Sequence, residues 1–188
     1  MVLVRTIHVF IKLIPVILAL KKDRILWISQ EGKNIDEKRF RRNAQRILNT
    51  CISLGPVFIK FGQWLSSRAD ILPQPYLEEL SKLQDSVPAV SFEKIRPIIE
   101  EDIGKIEEKF DRLDQNSLSG ASLGQVHLAT KNGQQVIVKV KRPGIEKQVE
   151  KDLKVLMKII PFAMKFVDPN LRFSIIPIMK QFAESIHE

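Results

Sequence analysis

The stretch SLSGASLGQVHLATKNGQQVIVKVKRPG, from Ser117 to Gly144, combines residue types that phosphate chemistry uses. Small residues from Ser119 to Gly124 let backbone N–H groups come close to an anion. A lysine set in an apolar strand, VIVK, offers a charge at a fixed place. A small-residue turn, a hairpin and a strand with a single inward lysine form the arrangement that holds a nucleoside triphosphate, with the lysine neutralising α- and β-phosphate charge. The candidate nucleotide-binding residues are therefore Ser119, Gly120, Ala121, Ser122, Gly124 and Lys139. Strand alternation puts Val136, Val138 and Val140 on one face and Ile137, Lys139 and Lys141 on the other. The pattern equally fits a solvated lysine on an edge strand, and these residues alone leave both open. The turn is not the glycine loop of a protein kinase, because Ala121 and Ser122 stand where that loop offers more glycine.

A second constellation lies earlier, in FIKFGQWLSSRADILP (Phe58 to Pro73). Glycine inside a helix costs about 1 kcal/mol relative to alanine, so Gly62 needs a packing or functional reason. Lys60 and Gln63 are three apart and share one face of that helix. By spacing alone, the better reading is Lys60 as a solvated lysine and Gly62 as a helix-packing glycine. Metal chemistry has no such footing: the single Cys51 excludes a multi-cysteine zinc site and an internal disulfide, and His8, His127 and His187 are scattered. A reducing compartment follows.

The elements that must position these residues come in two textures. Apolar positions Phe40, Ala44, Ile47, Leu48 and Cys51 predict a helix from Asp36 to Leu54, and another begins after Gly55-Pro56. A third runs from Pro75 to before Pro88, and SFEKIRPIIEEDIG (Ser91 to Gly104) has an N-cap serine and a glycine stop. After the small-residue turn we expect strands over Gln125 to Ala129 and Gln135 to Val140, joined by the hairpin signal Asn132-Gly133. Helical periodicity then resumes from Ile145 to Val167 and again through IIPIMKQFAESIHE.

With 188 residues and 44% hydrophobic content, the chain is globular and suits one domain, or one with an appended segment. Its net charge of +8 is N-terminal in origin: residues 1–60 hold 12 Lys and Arg against 4 Asp and Glu, and residues 61–188 hold 18 of each sign. The same end carries the apolar run Ile7 to Leu20, followed by Lys21, Lys22 and Arg24. Interrupted by Lys12 and Pro15, this run falls short of the ~20 apolar residues that span a bilayer, and the charge after it disfavours a cleavable signal. It reads as an interfacial anchor drawn to anionic lipid, or else as a core helix whose Lys12 snorkels. The aromatic residues are not interleaved with the basic ones as nucleic-acid binding requires, so no nucleic-acid partner is expected.

Taken in order, three motifs resemble the UbiB (ABC1-type) family of atypical, protein-kinase-like proteins linked to ubiquinone (coenzyme Q) biosynthesis. KFGQ (Lys60, Phe61, Gly62, Gln63) is similar to its K-x-G-Q signature, SGASLGQVH (Ser119 to His127) to its alanine-rich loop A-A-A-S-x-G-Q-V-H, and VIVKVKRPGI (Val136 to Ile145) to its strand with the nucleotide lysine. The likeness covers the chain from about residue 30 onward; it departs at Ser119 and Gly120, which replace two alanines. The resemblance implies an α+β fold: a membrane-interface segment (1–30), a helical extension (31–110) and part of a kinase-like small lobe (111–188) of antiparallel strands and helices. It implies ATP and Mg²⁺ as cofactors, with Lys60 and Gln63 in catalytic roles on a helix folded across the site where an ordinary kinase admits a protein substrate. It further implies action at the cytoplasmic face of a membrane, with quinone-biosynthesis proteins or lipid precursors as partners. The catalytic aspartate, its asparagine and the metal-binding aspartate of a large lobe are not found after Lys139, no residue here is assigned to metal, and Glu188 lies about where the family's E-x-D motif begins. The chain is accordingly expected to lack the large lobe and to be inactive alone. The competing expectation is a non-catalytic helical module on a membrane surface.

Overall fold

A computed structural model describes residues 2–85, 89–120, 122–167 and 172–187. The elements in order are α1 (Val2–Ser29), α2 (Glu37–Leu54), α3 (Pro56–Leu65), α4 (Gln74–Ser81) with a 3-10 turn over Lys82–Asp85, α5 (Phe92–Ile103), α6 (Ile106–Lys109), β1 (Arg112–Gly120), β2 (Gly124–Lys131), β3 (Gln134–Lys141), α7 (Ile145–Val167) and α8 (Arg172–His187). The fold is α+β, as the sequence predicts. It divides into a helical unit, Met1–Leu83 with Val149–Glu188, and a sheet unit, Gln84–Gln148. Within these units α1 groups with α2 to α4, while α5 and α6 group with the sheet.

In the helical unit, α2 forms where its apolar period predicts, with the Asp36 carboxylate accepting from Arg39 N at 3.0 Å as N-cap. It buries Phe40, Ala44, Ile47, Leu48, Cys51 and Leu54 on one stripe. Gly55, at φ 102°, ends it, and Pro56 opens α3. Phe61 of α3 meets Phe182 of α8 edge to face, with centroids 5.1 Å apart.

The N-terminal run is longer than expected. One helix of 28 residues continues through Lys21, Lys22, Asp23 and Arg24 to Ser29, so by length and composition it is enough to cross a membrane. Those charges do not end the helix because the bundle receives two of them. Asp23 Oδ2 accepts from Tyr76 Oη at 2.8 Å and Asn43 Nδ2 at 2.9 Å, and Arg24 Nη1 donates to the Ile71 carbonyl at 2.7 Å. Near the other end, Arg5 forks onto Asp152 of α7 at 2.8 and 2.9 Å, and Lys12 donates to Ser53 of α2 at 2.9 Å. Val9 and Val16 are buried between these ties, whereas Val4, Ile7, Ile11, Ile14 and Leu18 on the opposite side are exposed.

The sheet unit has the strand order β1-β2-β3, antiparallel throughout. Asn132 and Gly133, at φ 50° and 74°, make the predicted tight turn, and Gly133 N donates to Asp111 Oδ2 at 2.9 Å. One face of the sheet packs Val138 and Val140 against Ile95 and Ile99 of α5 and Ile106 of α6. The expected small-residue turn is shorter than the sequence suggested. Ser117 to Gly120 belong to β1, a strand whose polar sequence carries no alternation to announce it, and the connection to β2 is residues 121–123. Pairing is also irregular: β1 takes six steps from Leu113 to Ser119 while β2 takes three from Ala129 to Val126.

Candidate functional site

The register of the sheet unit assembles most of the candidate nucleotide residues. Val126 of β2 pairs with Ser119 of β1 and Lys139 of β3, so the three form one cross-strand row, and Leu128 with Ile137 form the next. Lys139 is exposed, two residues from Ile137, which is 68% exposed, and both alternate with the valines that face α5. Among the described residues Lys139 has no ion pair. Lys141, one step further along this face, is tied to Glu146 at 2.7 Å, and that bond raises its pKa. The open side of the sheet thus presents an ammonium beside an apolar surface, a pairing that suits a polyphosphate joined to a flat base.

The turn side is set by contacts that the sequence did not assign. A Cβ on Gly124 would lie 2.6 Å from the Val140 carbonyl oxygen, so only glycine lets β2 start this close to β3. Ser122 is buried, and Arg142 N donates to the Leu123 carbonyl at 3.1 Å, joining the turn to the end of β3. Ala121 lies outside the described residues, as does Glu188. Gln125 and His127 of the same motif, not singled out from sequence, are 1% and 0% exposed and hydrogen-bonded to each other and to backbone. Two polar residues spaced i, i+2 on the inward face of a strand were the available signal.

Lys60, Gly62 and Gln63 belong to α3 of the helical unit. Gly62 is buried; a Cβ there would stand 2.4 Å from Leu83 Cδ1 and 3.2 Å from Cys51 Sγ, so its absence lets α3 lie close to α2 and the 3-10 turn. Gln63 Nε2 donates to the Leu83 carbonyl at 2.9 Å, and Lys60 is half-buried. KFGQ therefore contains a glycine and a glutamine that both meet Leu83. Burial pushes the Cys51 thiol up to about 12, which leaves it protonated and unreactive at neutral pH. Among the described residues no three His, Cys, Asp or Glu side chains come together in a group that could hold a metal ion.

A three-stranded antiparallel sheet with a helix on one face and a lysine on its third strand defines part of a kinase-like small lobe. Residues 82–188 match the model of the ABC1 atypical kinase-like domain, and the chain belongs to that family. It is 39% identical over 170 residues, 89% of this chain and 30% of the relative, to a "Probable protein kinase UbiB" of Aeromonas salmonicida. A protein of the same name from Marinobacter nauticus is 41% identical over 137 residues, 72% of this chain and 25% of the relative. "Protein ACTIVITY OF BC1 COMPLEX KINASE 8, chloroplastic" of Arabidopsis thaliana is 43% identical over 146 residues, 76% of this chain and 19% of the relative. The chain thus spans less than a third of the length of these relatives.

Proposed function

We propose that this chain carries the nucleotide-side elements of a UbiB-type atypical kinase or ATPase that binds ATP with Mg²⁺ and supports quinone biosynthesis at a membrane. The observation that carries the reading is the row Ser119, Val126, Lys139, which sets a lysine with no ion pair among the described residues beside apolar surface and next to the β1–β2 turn. In this role Lys139 holds phosphate and Ser119, Gly120, Ala121, Ser122 and Gly124 cover it, while Lys60 and Gln63 keep the catalytic roles that the family resemblance implies. Quinone-biosynthesis proteins or lipid precursors are the chain's partners in this reading, and the phosphoryl acceptor is a lipid precursor, a protein or water. Titration of the chain with ATP tests this: binding should weaken about ten-fold in Lys139→Ala, the scale of one charge-assisted phosphate contact, while Lys131→Ala binds as the wild type. Equal affinity in all three removes the nucleotide role from Lys139.

The membrane part of the proposal is supported by α1, whose Val4, Ile7, Ile11, Ile14 and Leu18 face outward with Lys22 exposed beyond them. We take this face as the one that meets anionic lipid on the cytoplasmic side. Co-sedimentation with anionic vesicles should fall with salt and be lost in Ile7→Asp/Ile11→Asp, whose substitutions lie away from the packed side. Unchanged sedimentation of that double variant assigns membrane binding elsewhere.

A further inference from the structure

The Q-x-H part of the loop motif forms a closed buried chain of hydrogen bonds. His127 Nδ1 lies 2.8 Å from the Asp114 carbonyl oxygen, which only accepts, so Nδ1 carries the proton. On a neutral ring Nε2 then accepts, and Gln125 Nε2 donates to it at 2.9 Å. The second hydrogen of that amide goes to the Val90 carbonyl at 3.0 Å, and Gln125 Oε1 accepts from Val90 N at 2.8 Å. Every donor faces an acceptor. The opposite tautomer sets two N–H groups against each other at Nε2 and two acceptors against each other at Nδ1, and a protonated ring keeps the clash at Nε2. Phe92 closes the ring edge to face at 5.9 Å.

The location of this chain matters more than its stability. Pairing of β1 skips from Leu113 to Ser117, which leaves the Asp114 carbonyl outside the ladder, and His127 takes it up; Asp114 Oδ1 holds the same bulge by accepting from Asn116 N at 2.9 Å. Gln125 pairs across from Gly120, so it stands at the foot of the 121–123 connection. One imidazole therefore braces the bulge on the strand entering the turn and, through Gln125, the strand leaving it.

We propose that His127, held as its Nδ1–H tautomer, is a positioning residue that acts through Asp114 and Gln125 to fix the β1–β2 turn in the shape that receives the phosphates of a nucleotide. This inference rests on the nucleotide reading above. The test uses the full chain. Imidazole nitrogen shifts should show a protonated Nδ1 and an unprotonated Nε2. His127→Leu should raise amide exchange at Val90 and over 117–126 by about ten-fold or more, and weaken ATP binding by a similar factor, while amides of α5 keep their protection. His127→Asn, which restores a donor toward Asp114 only, should recover protection at 117–119 and not at Val90. Should His127→Leu fail to fold, His127→Asn against Gln125→Leu gives the same comparison from the two sides of the ring. An Nε2–H ring, unchanged exchange, or loss of α5 protection together with the turn overturns the inference. If the wild-type chain binds no ATP, the nucleotide reading falls, and a wild-type turn that exchanges as slowly in His127→Leu removes the brace as well.

Discussion

At the scale of single residues, Gly62 shows how a position can be dictated by the absence of an atom. Helix propensity favours alanine there by about 1 kcal/mol, but the added methyl would press into Leu83, which is fully buried and 2.4 Å away, and overpacking of this kind costs about 1–3 kcal/mol. We predict that Gly62→Ala lowers stability in urea unfolding, and that in Gly62→Ala/Leu83→Ala the two effects fall short of their sum by about 1 kcal/mol, because each relieves the other. Tyr76 gives a pH dependence. Burial first, and then its bond to the Asp23 carboxylate, raise its pKa above the ordinary 10.0. Below pH 10 the phenol is protonated in folded and unfolded chains alike; above it the unfolded chain gives up its proton first, so stability falls as pH rises. The slope contributed by Tyr76 reaches at most about 1.4 kcal/mol per pH unit, and comparing stability at pH 10 and 11 in wild type and Tyr76→Phe should reveal a shallower fall in the variant.

At the scale of elements, α1 is held at both ends and in the middle by polar ties. Asp152 is fully buried and Arg5 partly so, with side chains 0% and 19% exposed, so removing Arg5 strands a buried carboxylate and removing Asp152 leaves Arg5 with only the Leu54 carbonyl and the Phe58 ring. Asp152→Ala should destabilise the chain by about 3–5 kcal/mol, measured by denaturant unfolding, and an apolar pair in place of Arg5 and Asp152 should recover most of it. Sequence reasoning found α2, α3, α5, α7 and the β2–β3 hairpin because each had a local signal: an apolar stripe, a glycine stop, or Asn132-Gly133. It missed β1, whose residues 112–120 are mostly polar and whose bulges destroy the alternation that marks a strand. It read the apolar run Ile7 to Leu20 as short of a span because Lys12 and Pro15 interrupt it, whereas the helix runs on to Ser29, with Asp23 and Arg24 buried and paired with residues of α2, α4 and the loop before it. Lys139 was legible from strand alternation. Gln125 and His127 left only the i, i+2 spacing of two polar residues as a signal, since their partners are the backbone of Val90 and Asp114, which residue types do not reveal.

At the scale of the whole molecule, phosphoryl transfer depends on metal-held phosphates and a positioned base, and the loss of either typically removes orders of magnitude of rate. We predict that these 188 residues by themselves bind ATP weakly and show no turnover in a phosphate-release assay. Lys139-dependent hydrolysis by the purified chain would falsify that expectation and place the acids among residues now given packing roles. The helical unit is also discontinuous in sequence, with the sheet unit inserted between Leu83 and Val149. One of its ties, from Arg5 to Asp152, joins residues 147 positions apart, so at ribosomal speeds of about 5–20 residues per second Arg5 is made roughly 7–30 s before its partner on α7 exists. During that interval the Arg5 end of the helix lacks its partner on α7, and a lipid surface or a chaperone competes for it with no rival from that element. The order of synthesis thus gives the N-terminal helix its first partner before the finished fold can, and slowing translation ahead of Val149 should lengthen that head start.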